Sequence, residues 1–287
     1  MAATDPHAFG LADWTARARD LRPHALAVID GRTVAAASGR TYRDVTGRDS
    51  TTVAEVAECD AEDVDRAVQA ARTAFDEGRW SDLAPVDRKR LMLRFAELIR
   101  GDLEYLALVE ALDCGKPIHD TLNVDVAKPP DVIQWYAEAI DKLYGEVGPT
   151  GPDALSLVTR EPFGVVATIV PWNYPLIITG WKIGAALAAG NTVVLKPASQ
   201  SPLSAIRLGE LALEAGIPPG VLNVVPGPGS VIGRALARHP GVDKVAFTGS
   251  TDVGKSLLRD IGETDVKAIS LELGGKSPQI VLGDVAD

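Results

Sequence analysis

Glu272 stands between Leu271 and Leu273 in an apolar run and is followed by two glycines. Burying an unpaired carboxylate is costly, so in a partly apolar niche this carboxyl is expected to have a raised pKa and to act as a general base toward water. A rim carboxylate at a strand end is the plainer reading. The stretch Gly249-Ser250-Thr251-Asp252-Val253-Gly254 follows a run closed by Thr248 and opens a helical pattern. Backbone N–H groups at the positive end of that helix can face a pyrophosphate, with the Ser250 hydroxyl as one more donor. A glycine turn with a Ser, Thr or Asp cap fits the same residues equally well. In Pro171-Trp172-Asn173-Tyr174-Pro175, Asn173 offers an amide donor to developing negative charge, or is an ordinary turn asparagine. Lys196 closes another apolar run, and Lys182 interrupts a greasy helical stretch, where it reads as a snorkelling lysine.

These residues need a frame that brings run ends together. Short β-branched runs recur at 164–170, 192–196, 221–225, 243–248 and 267–273, each separated by enough chain for a helix. Parallel neighbours require such crossovers, and strands covered on both faces are apolar almost throughout. The fold expected is α/β, a doubly wound, five-stranded parallel sheet of Rossmann-like type, whose ligands sit beyond the carboxyl ends of the strands. No G-x-G-x-x-G is present; Gly227-x-Gly229-x-x-x-Gly233 is one residue too long.

The first half reads as an extended arm followed by helices. Residues 26–34 and 41–54 have the short apolar runs and turn punctuation of strands. A capping pattern at Asp60 and Asp63 opens a helix with Val64, Val68, Ala71 and Phe75 on one face. A second helix turns Leu91, Phe95, Leu98 and Ile99 inward, a third runs from about Asp102 to Gly115-Lys116-Pro117, and a fourth spans roughly 130 to 144. The expected division is 1–160 for the arm, helices and an oligomerisation hairpin, 161–273 for a dinucleotide-binding domain, and 274–287 for the start of a further domain.

At 46% apolar and 24% charged, the 287 residues have the composition of a folded chain. A net charge of −10 supplies no general attraction to nucleic acid or to an anionic membrane surface. The first residues lack a basic segment followed by an apolar one, so a cytoplasmic location is expected. The longest greasy stretch, 175–190, falls short of the roughly 20 residues that cross a bilayer. Two cysteines, Cys59 and Cys114, and four scattered histidines leave little material for a metal site.

PWNYP, LKPAS, FTGSTDVG and LELGGKSP, in this order and at these separations, resemble the aldehyde dehydrogenase family, and the resemblance runs from the N-terminal arm to the last residue. WYAEAIDKLYGEV, REPFGVVATIVPWNYP and SPLSAIRL look most like the branch acting on amino-substituted aldehydes such as γ-glutamyl-γ-aminobutyraldehyde. The resemblance implies NAD(P)-dependent oxidation of an aldehyde to an acid. It implies Asn173 as oxyanion donor, Glu272 as general base and Lys182 in support. Tyr174, Ile178 and Trp181 would line the aldehyde's path. Val170, Pro171, Trp172, Gly229, Gly233, Thr248, Gly249, Ser250 and Leu273 would line the cofactor, with Lys196 on the adenosine ribose. Family members that prefer NAD often carry glutamate at the position of Ser199; without that charge NADP is expected to be tolerated beside NAD. The family's nucleophile is a cysteine a few tens of residues beyond Glu272, so the chain is expected to lack it and nearly all of the catalytic domain. Full-length relatives are homo-oligomers. A non-catalytic cofactor-binding or assembly module is the alternative reading.

Overall fold

The computed structural model describes residues 5–275 and 277–283. Helix α1 (Leu11–Asp20) precedes two short hairpins, β1 (Ala27–Ile29) with β2 (Arg32–Val34) and β3 (Thr41–Val45) with β4 (Thr52–Ala57). Asp30 and Gly31 connect the first pair with φ of 48° and 73°, the conformation that lets an Asp-Gly dipeptide close a two-residue hairpin. Helix α2 (Ala61–Asp76) starts from the expected capping box: the Asp60 side chain accepts from Glu62 N–H, and that of Asp63 from Asp60 N–H.

Helices α3 (Pro85–Gly101) and α4 (Leu103–Cys114) follow, the latter ending where Gly115 turns left-handed at φ 68°. A short α5 (Ile118–Asp120) runs into a π-helical turn, Thr121–Asp125. Helix α6 (Lys128–Ala139) begins slightly before its expected start, because Pro129 and Pro130 fit a first turn that needs no N–H. The hairpin β5 (Glu146–Gly148) with β6 (Ser156–Val158) then leaves Val147 and Leu157 exposed.

The second half alternates strand and helix: β7 (Val165–Ile169), α7 (Pro175–Ala188), β8 (Thr192–Lys196), α8 (Leu203–Glu214), β9 (Leu222–Val224), α9 (Gly229–Arg238), β10 (Lys244–Gly249), α10 (Thr251–Gly262) and β11 (Ala268–Leu273). The five strands pair in parallel in the order β11-β10-β7-β8-β9. The sheet is wider than the five strands expected: β1 and β2 extend it past β9, with Val28 antiparallel to Val224. Short apolar runs with turn punctuation identify residues 26–34 as strands, but the edge they join is set by packing distant in sequence.

Two apolar layers cover the sheet. Leu176, Ile183, Leu203 and Ile206 of α7 and α8 meet Val166, Val193 and Leu195 on one face. Val64, Val68, Ile232, Leu236 and Leu257 of α2, α9 and α10 meet Val165, Val194, Val245 and Phe247 on the other. At the amino ends of β7 and β10, the Asp243 carboxylate accepts from Val165 N–H and from the Arg72 guanidinium, which also donates to Gly241 O. No helix among the described residues is long and apolar enough to cross a membrane.

Trp80 is fully buried, and its Nε1 donates to Leu187 O at 2.8 Å, tying the α2–α3 connection to the end of α7. Trp80→Ala is expected to lower unfolding stability by about 3–5 kcal/mol; a loss below about 1 kcal/mol in urea titration would show that this contact is not part of the core's support.

Candidate functional site

The chain enters the parallel core at β7, moves outward through β8 and β9, and then returns to the other side of β7 with β10 and β11. Connections leaving β7 and β10 therefore diverge, and a crevice opens beyond their carboxyl ends. Every residue given a catalytic, substrate or cofactor role by the resemblance, with the exception of Tyr174, lines this one crevice of about 1870 Å³.

Sheet register assigns the groups to two sides. Ile169 is paired with Lys196 and Phe247, and Phe247 with Leu271, so these four side chains share the face covered by α2, α9 and α10. Thr248 and Glu272 are paired on the opposite face, toward α7. The crevice thus runs over the top of the sheet, with Lys196 on one side and Asn173, Lys182 and Glu272 on the other.

Lys196 is only 4% exposed, and its Nζ lies 3.5 Å from where a side chain at Gly229 would begin. A Cβ there would meet the ammonium at ordinary contact distance. Burial alone pushes its pKa from 10.5 down to about 8, since no carboxylate among the described residues pairs with it. A desolvated cation facing a crevice is prepared for ligand oxygens. Beside it, the Ser199 hydroxyl donates to Gly227 O at 2.9 Å. Gly227 has φ 140°, and a Cβ on it would approach Cys59 O to 2.8 Å, so this turn needs glycine on both counts.

Ser250 lines the crevice and also starts a helix. Its Oγ accepts from Val253 N–H at 3.4 Å as the N-cap of α10, which leaves the hydroxyl proton directed elsewhere. Asn173 is exposed at the crevice wall, between the exposed rings of Trp172 and Tyr174.

Glu272 departs from expectation. It is exposed, not held in an apolar niche. The reason is its strand: among the described residues β11 pairs with β10 alone, and its last two residues are both exposed. Its charge is nonetheless felt at Lys182, whose pKa is lowered first by burial, with Glu272 opposing the shift and Lys244 adding to it.

Several neighbours were not legible as site residues. Arg234, Ser230 and Gln200 line the Lys196 side, and Lys244 lines the Glu272 side. The Lys116 ammonium sits 3.7 Å from the centroid of the Tyr174 ring and pairs with the buried Asp125 at 2.6 Å. Neither cysteine is activated. Cys59 is buried, the Cys114 thiol donates to Trp172 O, and burial pushes both thiols up. No metal-holding group of His, Cys, Asp and Glu occurs among the described residues.

Residues 34–287 match the model of the aldehyde dehydrogenase family. Over 277 residues the chain is 49% identical to the NADP/NAD-dependent aldehyde dehydrogenase PuuC of Escherichia coli, covering 96% of this chain and 56% of that protein. The structure of γ-glutamyl-γ-aminobutyraldehyde dehydrogenase from Burkholderia cenocepacia superposes with a TM-score of 0.93 at 52% identity, over 97% of this chain and 56% of that one. A mutant of the P. syringae indole-3-acetaldehyde dehydrogenase AldA, in complex with NAD+ and IAA, gives 0.92 at 55% identity, over 96% and 56%. The chain therefore spans about half the length of the curated relatives it matches.

The buried ammonium has a stability consequence. A lysine whose folded pKa lies below its unfolded value binds fewer protons when folded, so its cost is greatest below about pH 8 and fades toward pH 10.5. Lys196→Met is expected to raise stability by about 1–3 kcal/mol at neutral pH. The gain should shrink at pH 10; a gain unchanged between the two conditions in urea unfolding would remove the buried charge as its cause.

Proposed function

Because this chain belongs to the aldehyde dehydrogenase family, we propose that it forms the cofactor-binding half of an NAD(P)-dependent enzyme that oxidises an aldehyde to a carboxylic acid. The observation that carries this reading is the division of one crevice into a side with a desolvated cation and a side with an amide and a carboxylate. Lys196 would meet the adenosine ribose hydroxyls, which would give its ammonium oxygen partners that it lacks among the described residues. Gly229 leaves room for them, and the backbone at the start of α10, with Ser250, faces the pyrophosphate. Val170, Pro171, Trp172, Gly233, Thr248, Gly249 and Leu273 complete the cofactor's lining. The bound nicotinamide supplies the acceptor for hydride.

The remaining chemistry belongs to side chains. The aldehyde passes Tyr174, Ile178 and Trp181 on its way in. Attack by a thiolate places negative charge on the aldehyde oxygen, and the Asn173 amide donates to it as that charge develops. Glu272, open to solvent, takes a proton from the water that hydrolyses the thioester, with Lys182 close enough to feel its charge. Cys59 and Cys114 take no part in attack, because a buried thiol held above its ordinary pKa is a poor nucleophile; the nucleophile comes from the part of the whole enzyme that this chain does not span. The aldehyde is amino-substituted, as the names of two similar proteins suggest. The exposed Val147 and Leu157 of the β5–β6 hairpin support a homo-oligomeric contact in the whole enzyme.

Ser199 governs cofactor choice in this reading, since it presents a hydroxyl and no charge to a 2′-phosphate. Calorimetric titration is expected to find binding of both NAD and NADP, and Ser199→Glu is expected to weaken NADP by about tenfold or more while sparing NAD. Equal effects on the two would refute the assignment. A crystal soaked with NAD should place the nicotinamide beside Asn173 and Glu272; a ring elsewhere defeats the whole reading. In the whole enzyme, Asn173→Ala is expected to lower kcat by about 10²-fold or more, and an unchanged kcat would remove this amide from the mechanism.

A further inference from the structure

Behind the crevice, away from the sheet, the last turns of α4 meet the start of two other helices. Glu110 is completely buried there. Its Oε1 accepts from Leu176 N–H at 3.1 Å and from Ser204 Oγ at 2.7 Å, while Oε2 is buried with no partner. Leu176 is the second residue of α7, so its N–H has no acceptor within its own helix. Ser204 is the second residue of α8. One turn further along α4, Asp113 Oδ2 accepts from Leu203 N–H at 3.2 Å. The thiol of Cys114 and the hydroxyl of Ser201 both donate to Trp172 O, at 3.2 and 3.3 Å.

Asn173 therefore lies between two anchors, the carbonyl of Trp172 and the N–H of Leu176. We propose that Glu110 is a positioning residue: by holding the Leu176 N–H and the Ser204 hydroxyl with one carboxylate oxygen, it locks the start of α7 and so fixes where the Asn173 amide points. This rests on the reading of Asn173 as the oxyanion donor. Only the ionised carboxylate serves well, because a charged acceptor binds N–H and O–H groups about twice as strongly as a neutral one. A protonated carboxyl would also carry an O–H that finds no acceptor at Oε2.

The surroundings make this lock sensitive to protons. Burial pushes the Glu110 carboxyl up to about 7, and the Ser204 hydroxyl opposes that shift. Among charged neighbours, Asp125 of the π-helical turn raises it and Lys116 lowers it. Asp113 and Cys114 flank it on its own helix, with Asp44 of β3 beyond Asp113, and α7 and α8 contribute neutral donors. The lock is thus closed above neutrality and loosens as pH falls through about 7.

Amide hydrogen exchange on the chain as it stands, corrected for the intrinsic pH dependence of exchange, reads the lock directly. Protection at residues 174–178 is expected to rise by about tenfold from pH 6 to pH 8, the size of a gained charge-assisted hydrogen bond. Glu110→Gln should flatten that rise. Ser204→Ala, which leaves the carboxylate in place but removes a stabilising donor, should move the midpoint to higher pH. The Asn173 side-chain amide resonances, assigned by their loss in Asn173→Ala, should shift with the same midpoint in the parent chain. A pH profile surviving in Glu110→Gln, or a midpoint unmoved in Ser204→Ala, overturns the proposal. So do Asn173 resonances that stay fixed while Leu176 protection titrates, which would make Glu110 merely structural. NAD titration of the same samples is scored separately: its failure would fall on the cofactor reading and leave the exchange result standing.

Discussion

A parallel sheet imposes one constraint from which the rest of this molecule follows. Because neighbouring parallel strands must be joined by crossovers, all five strand ends carry their connecting loops on the same side. Where the winding reverses, between β7 and β10, those loops part and backbone N–H groups and side chains face an opening instead of each other. Residues at and just beyond the carboxyl ends of β7, β8, β10 and β11 consequently have access to a ligand and a rigid support at once.

The same geometry separates opposite chemistries. Side-chain alternation puts Lys196 over the α9 face and Glu272 over the α7 face, so an ammonium and a carboxylate at one end of one sheet do not neutralise each other. Each can then be set by its own surroundings. Lys196 is desolvated beneath α9, where its charge is costly. Glu272 stands at an open edge, where its charge is not. A residue pair that merely stabilised the fold would be arranged the other way, within reach of each other.

How far the sequence reveals this depends on the distance over which each property is decided. Strand positions, the capping box at Asp60 and the left-handed stop at Gly115 are local matters of period and residue type, and they stand where the pattern puts them. Of the two readings open for Glu272, an apolar niche or a strand-end rim, the structure has the rim, because flanking leucines report the strand's composition and not whether a further strand covers it. Lys116 over Tyr174 and Glu110 beneath Leu176 were invisible for a related reason: their partners lie 58 and 66 residues away in sequence. Helix α4 reads simply as greasy, and nothing within it announces that two of its acidic groups end other helices.

The Asp243 carboxylate, joined to Val165 N–H and to Arg72, grips β7 and β10 at the ends remote from the ligand. The two strands stay paired from Val166–Lys244 up to Ile169–Phe247, so this clasp closes the foot of a continuous ladder and only the loops beyond it part. With register pinned at the foot and along the ladder, sliding of one strand past the other is blocked, and any change in the width of the mouth falls to the loops after Ile169 and Gly249.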